Sequence, residues 1–380
     1  MTRLPSHYPE RRSQQPWVME DMIAQEPGLA VMAREPVADA DALAVAIVDA
    51  ARAGRSVVVV GSGTAEHAAF GVAEILDEAL RGLGLPPGIV AARESFEASL
   101  EPRSGGVCIA VSHTSRSAKT VRALETARLN GARSAVITAD PDAPAAAAAD
   151  LVVKTPFVDR SFCHTIGYLS PLVAAGVVGA SIQGEPLDGS RLARLLERAM
   201  AVGDQARAVG GRLHGVAAHL VAGSGADMHA ARELALKIEE GVRVPAAMRG
   251  LETLMHGHLV AMDEQTSLIV LCTERRSRSL RAERALVALR AARRLGIRTA
   301  AIVTDDVADS FTPREASEGI AVVADDARLP AAVSSLSLSA AARQHLTVGL
   351  VHAAGINPDL IRREELPYRE VSVMTETKIR

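Results

Sequence analysis

The sequence predicts an α/β fold made twice, as two tandem units, each a mostly parallel sheet flanked by helices. Two observations predict it. The first is a repeated turn: Val57-Val58-Val59-Val60-Gly61-Ser62-Gly63-Thr64 recurs as His219-Leu220-Val221-Ala222-Gly223-Ser224-Gly225-Ala226, each copy an apolar run of strand length, a Gly-Ser-Gly turn and a helix start. The second is that the match continues downstream, where Asn130-Gly131-Ala132-Arg133 through Asp140 resembles Leu295-Gly296-Ile297-Arg298 through Asp305 at nearly the same offset.

In chain order, residues 1–15 are polar, with Pro5 and Pro9, and predict an extended or disordered arm. Trp17 to Pro27 reads as a short amphipathic helix stopped by proline, and 39–53 as a second helix. Strands at 56–61, 107–112, 134–138 and 151–153 then alternate with helices at 65–83 and 117–130. Continuous Val/Ile/Ala strands in β-α-β order indicate a parallel sheet covered on both faces. Helical stretches at 165–181 and 190–208 lead to the second copy; a last helix, 333–354, stops at Gly355, and an irregular tail follows from Ile356. The division is 1–35 arm and short helix, 36–185 first unit, 186–215 connecting helix, 216–345 second unit, and 346–380 helix end and active-site tail.

Composition narrows the class. With 42 Lys+Arg against 45 Asp+Glu, the net charge of −3 argues against nucleic acid as a partner. Cys108, Cys163 and Cys272 are widely spaced, as buried reduced thiols would be and metal or disulfide frameworks would not. No apolar signal region starts the chain, and no uncharged run reaches the ~20 residues of a membrane span. The expectation is a cytoplasmic protein without metal or cofactor.

The chemistry concentrates at Ser112-His113-Thr114-Ser115-Arg116-Ser117-Ala118-Lys119-Thr120, five hydroxyls in nine residues at the carboxyl end of a strand. That edge is where open α/β sheets bind ligands, and hydroxyls, helix-start amides and Arg116 or Lys119 suit a phosphate. The matching loop, Cys272-Thr273-Glu274-Arg275-Arg276-Ser277, has an acid and fewer hydroxyls, so one copy is expected to bind and the other to support.

Taken with Glu233-Leu234-Ala235-Leu236-Lys237-Ile238-Glu239-Glu240 and His256-Gly257, these motifs resemble the sugar isomerase (SIS) domain proteins over roughly residues 17–355. The likeness is to the isomerase half of glucosamine-6-phosphate synthase and to stand-alone agaS-type amino-sugar phosphate deaminase/isomerases; Asp159-Arg160-Ser161-Phe162 with Thr165 is nearer the latter. The resemblance implies that Ser62, Thr64, Ser112, His113, Thr114 and Ser117 hold a sugar phosphate. It implies that Glu240 is the base moving a proton between C1 and C2, that Lys237 lies beside it, and that His256 assists ring opening, often from a neighbouring subunit. A homodimer with shared sites follows. The expected activity is aldose–ketose isomerisation of a hexose or amino-hexose 6-phosphate through an enediol, with or without loss of ammonia. The rivals are a fructosamine-phosphate deglycase and a non-catalytic sugar-phosphate sensor.

The sequence also departs from the pattern. Thr2 follows Met1 and no glutaminase segment precedes the first unit, so no glutaminase activity is expected. His258 stands where the family usually has proline. The tail has no lysine before Lys378, so an imine with the open sugar is not expected, and Arg362 or Arg363 would instead close over substrate charge.

Overall fold

The computed structural model describes residues 8–375, so Lys378 and residues 1–7 of the arm lie outside the described residues. The chain forms two compact units. The first-repeat unit comprises Gly28–Asp159, Ile166–Leu192 and the described residues from Arg362 on; the second-repeat unit comprises the described residues up to Pro27, Arg160–Thr165 and Ala193–Ile361.

The first-repeat unit holds strands β1 (Val57–Gly61), β2 (Val90–Glu94), β3 (Val107–Val111), β4 (Arg133–Thr138) and β5 (Leu151–Lys154), all parallel, in the order β2-β1-β3-β4-β5. The central strands β1 and β3 are buried along their whole length, which is why the Val and Ile runs were readable. One face packs Val58, Val60, Cys108, Ala110, Leu124 and Val136 into a core. Helix Ile166–Gln183 is apolar and long enough to span a membrane by composition alone, but 83% of it is buried.

The second-repeat unit repeats the topology. Strands β6 (Ala218–Gly223), β7 (Ala246–Gly250), β8 (Thr266–Cys272), β9 (Arg298–Thr304) and β10 (Ile320–Val323) run parallel in the order β10-β9-β8-β6-β7, the first sheet's order read from its other edge. Helix Ala331–Ala354 runs through this unit almost wholly buried and ends at Gly355, whose φ of 65° is the left-handed cap that glycine favours.

Several elements differ from the sequence expectation. Strands β2, β7 and β10 are additional to the expected ones and lie at sheet edges; β2 and β7 carry an arginine because an edge strand needs no continuous apolar run, while β10, Ile-Ala-Val-Val, is apolar but only four residues long. The stretch 190–208 is two helices, Gly189–Ala201 and Gly203–Leu213. The tail is not irregular throughout, because Leu366–Thr375 is helical. The first helix, Val18–Ala24, ends before Pro27, and a 3-10 turn, Glu26–Ala33, carries the chain through it. At the start of Val18–Ala24 the Glu20 side chain accepts the Trp17 N–H at 2.8 Å, and Asp359, fully buried, accepts the N–H groups of Val18 and Met19 at 2.9 and 2.8 Å.

Candidate functional site

The strand order of the first-repeat unit reverses direction between β1 and β3, and open α/β sheets bind ligands outside the carboxyl ends of the strands at such a point. The Gly61–Gly63 turn leaves β1 and the Ser112–Ser117 loop leaves β3, so both phosphate elements expected from the sequence lie at this point. Gly61 must be glycine: a Cβ there would stand 2.3 Å from the Ala65 carbonyl oxygen. Thr64 begins helix Thr64–Gly82 and is buried. Ser62 is exposed, and its hydroxyl donates to Glu94 Oε1 at 3.0 Å. Glu94 ends β2 opposite Gly61 and caps helix Ser95–Leu100 through the Phe96 and Glu97 amides. Sequence reasoning missed it because the edge strand carrying it was missed.

In the hydroxyl loop, Ser112 is buried and Thr114 exposed. Ser115, at φ 54°, is buried and donates to Thr138 Oγ1 at 2.7 Å, which folds the loop back on β4. Ser117 caps helix Ala118–Leu129 by accepting the Thr120 N–H at 3.4 Å. Arg116 pairs with Asp140 at 2.8 Å. His113 Nε2 accepts the Asp159 N–H at 2.6 Å, which puts the proton of the neutral ring on Nδ1. Asp159 in turn accepts the Gly167 N–H at 3.0 Å, and the ring serves as a strut under this loop. Of the tail residues, Arg362 is taken up locally, donating to Glu365 Oε1 at 2.9 Å with its guanidinium 4.0 Å from the Tyr368 ring centre. Arg363 also has partners of its own.

In the second-repeat unit, helix Ala226–Val242 aligns Glu233, Lys237 and Glu240 on one face by their i, i+4 and i+3 spacing. Lys237 is 2% exposed; its ammonium bonds the Glu240 carboxylate and lies 3.5 Å from Glu233 Oε1. Burial works against the charge on Lys237, but Glu240 and then Glu233 outweigh it and raise its pKa. Glu240 keeps 18% exposure, while Glu233 is buried. Cys163 is also buried in this unit, and burial pushes its thiol well above the ordinary range, away from reactivity.

His256 follows helix Leu251–Met255, exposes 72% of its side chain and sits 2.8 Å from Glu252 Oε1, on a different helix from Glu240. The hydrogen bond from His256 holds the Glu252 carboxyl below its usual range. Gly257 has φ 109°, which explains the glycine after His256. His258, in the family's proline position, accepts from Arg249 Nε at 3.1 Å. Among the described residues, no group of three or more His, Cys, Asp or Glu side chains could hold a metal ion.

Residues 51–178 and 218–349 match the SIS domain family model, one segment in each repeat. No curated protein matches the sequence at a significant level. The fold is similar to the C-terminal domain of glucosamine-fructose-6-phosphate aminotransferase from Francisella tularensis, with TM-score 0.76 and 15% identity over 91% of this chain and 98% of that one. Tagatose-6-phosphate ketose/aldose isomerase from Escherichia coli gives 0.72 and 18% over 94% and 98%. Glucosamine-6-phosphate deaminase from Thermotoga maritima gives 0.63 and 16% over 90% and 96%. At these identities the likeness is one of fold. The family match is a separate finding; it spans most of the chain and falls on both repeats, and by it this protein belongs to the SIS domain family.

Proposed function

We propose that the protein isomerises a hexose or amino-hexose 6-phosphate between aldose and ketose forms, and that where the C2 substituent is an amine the resulting C2 imine takes up water and releases ammonia. The observation that carries the reading is the Lys237–Glu240 pair, a carboxylate only 18% exposed and fixed by a buried ammonium. A carbon acid needs one such positioned base, shielded from bulk water, to lift a proton from C2 and return it to C1. In this reading Ser62, Thr64, Ser112, His113, Thr114 and Ser117, with the helix-start amides beside them, hold the phosphate. Lys237 positions Glu240 and supplies its counter-charge. His256 moves the proton of the ring oxygen, acting within a homodimer. Similar folds named as a ketose/aldose isomerase and a deaminase of 6-phosphorylated sugars support this direction.

The test is exchange with solvent deuterium of the substrate C2 proton in aldose 6-phosphates and amino-aldose 6-phosphates, and of the C1 protons in ketose and fructosamine 6-phosphates. Glu240→Gln keeps the shape and removes the base, so exchange should fall by about 10²–10⁴-fold while binding stays within a few-fold. Undiminished exchange in Glu240→Gln would defeat the assignment. Tight binding without exchange in the unmutated protein would make it a sensor, and release of an amino acid would make it a deglycase.

A further inference from the structure

The two glycine turns share a backbone conformation but not an environment. Gly63 (φ 60°, ψ −131°) and Gly225 (φ 65°, ψ −136°) each precede a long helix, Thr64–Gly82 and Ala226–Val242. A Cβ on Gly63 would meet nothing within 4 Å, whereas one on Gly225 would touch Glu274 Oε2 and Arg281 Nη2, each at 3.0 Å. The first turn is open and the second is filled.

What fills it is a carboxylate. Glu274 is fully buried, and its Oε2 accepts the N–H of Ala226, the first residue of the helix, at 3.0 Å. Arg276 holds both oxygens, Nε to Oε1 at 3.1 Å and Nη2 to Oε2 at 3.0 Å, and its own N–H donates to Oε1 at 3.0 Å. Arg281 donates to the Ser224 hydroxyl of the same turn. Burial opposes ionisation of Glu274, but the bonds from Arg276 and the Ala226 amide outweigh it and hold the carboxyl below its usual range. A helix-start amide, a turn hydroxyl and two guanidinium groups are the donors that a bound oxyanion would use.

The strand registers identify the substitutions that separate the copies. Val57 pairs with Val107 and His219 with Ser267, so counting forward aligns Thr114 with Glu274 and Ala65 with Asp227. The second copy therefore has two acids where the first has a hydroxyl and a methyl. Asp227 is also buried and accepts the N–H groups of Thr273 and Glu274, at 2.7 and 2.9 Å, which presents the Glu274 side chain to the turn.

We infer that the Gly223–Gly225 turn is an anion site whose resident ligand is the chain's own Glu274, and that removing this carboxylate opens it to a tetrahedral oxyanion such as inorganic phosphate. The site is separate from the one proposed for substrate and stands whether or not the first-repeat unit binds a phosphosugar.

Glu274→Thr installs the residue of the first copy. Its thermal unfolding is compared with that of the unmutated protein in chloride and in inorganic phosphate at equal ionic strength; the unmutated protein's increment absorbs phosphate binding elsewhere. Glu274→Thr should melt lower in chloride and gain about 2 °C more than the unmutated protein from phosphate at ten times the dissociation constant. Equal increments, or no loss in chloride, would overturn the proposal. If Glu274→Thr fails to fold in both salts, Glu274→Gln decides, since it fills the turn without the charge. A lowered melting temperature supports a resident anion, and an unchanged one refutes it.

Discussion

Lys237 is a cation enclosed on one helix face by Glu233 and Glu240, and two of the three side chains are almost without solvent contact. Taking such charges out of water costs several kcal/mol per ion unless each is paired. Because the Lys237 pKa is raised, its contribution to stability is complete below the unfolded value of about 10.4 and is lost only as pH rises through the folded value. Lys237→Met would remove the buried ammonium that both Glu233 and Glu240 face, and its expected cost is about 3–5 kcal/mol. Adding Glu233→Gln should recover part of that loss, because neighbours in one network are not additive. Denaturant unfolding of the two single variants and the double variant measures this, and strictly additive losses would show that the charges are not coupled. The i, i+3 spacing of Lys237 and Glu240 was legible in the sequence. Their burial was not, since spacing fixes which residues share a face but not what that face packs against.

Two helices of the second-repeat unit, the one-face-buried Gly203–Leu213 and the buried Ala331–Ala354, approach each other backbone to backbone. A Cβ on Gly210 would stand 2.0 Å from the Leu346 carbonyl oxygen, and one on Gly349 would stand 2.1 Å from that of Arg207. In an exposed helix, Gly→Ala gains about 1 kcal/mol; in this crossing the helices must part, and overpacking costs about 1–3 kcal/mol. Gly210→Ala should therefore lower the melting temperature although it raises helix propensity. A rise would mean that the helices are not in this contact. Propensity reasoning sees such glycines only as weak points in a helix, and likewise sees an edge strand such as β2, Val-Ala-Ala-Arg-Glu, as no strand at all. Both belong to elements specified by what they pack against.

At the scale of the molecule, one strand order occurs twice with different chemistry at its carboxyl edge: an open hydroxyl loop in the first-repeat unit, a self-filled turn in the second. The exposure of His256 suits the proposal that it serves a neighbouring subunit. If so, mixing equal amounts of Glu240→Gln and His256→Ala proteins under conditions of subunit exchange should regain about a quarter of the unmutated activity, because half of the dimers are mixed and each keeps one intact site of two. Verified exchange without recovery would place each site within a single chain.

The sequence by itself determined the duplication, the buried central strands and the glycine turns, because each rests on local rules: apolar runs for strands buried on both faces, and glycine where the backbone turns back on itself. It also marked Lys237, Glu240, Ser112–Ser117 and His256 as the residues worth following. Only the tertiary structure decided which turn is open, that Glu274 lies in the other, that His113 serves Asp159, and that Asp359 caps a helix more than three hundred residues earlier in the chain. These are contacts between groups distant in sequence. No local pattern carries them, because the partner of a buried polar group is chosen by the fold that excludes water from it.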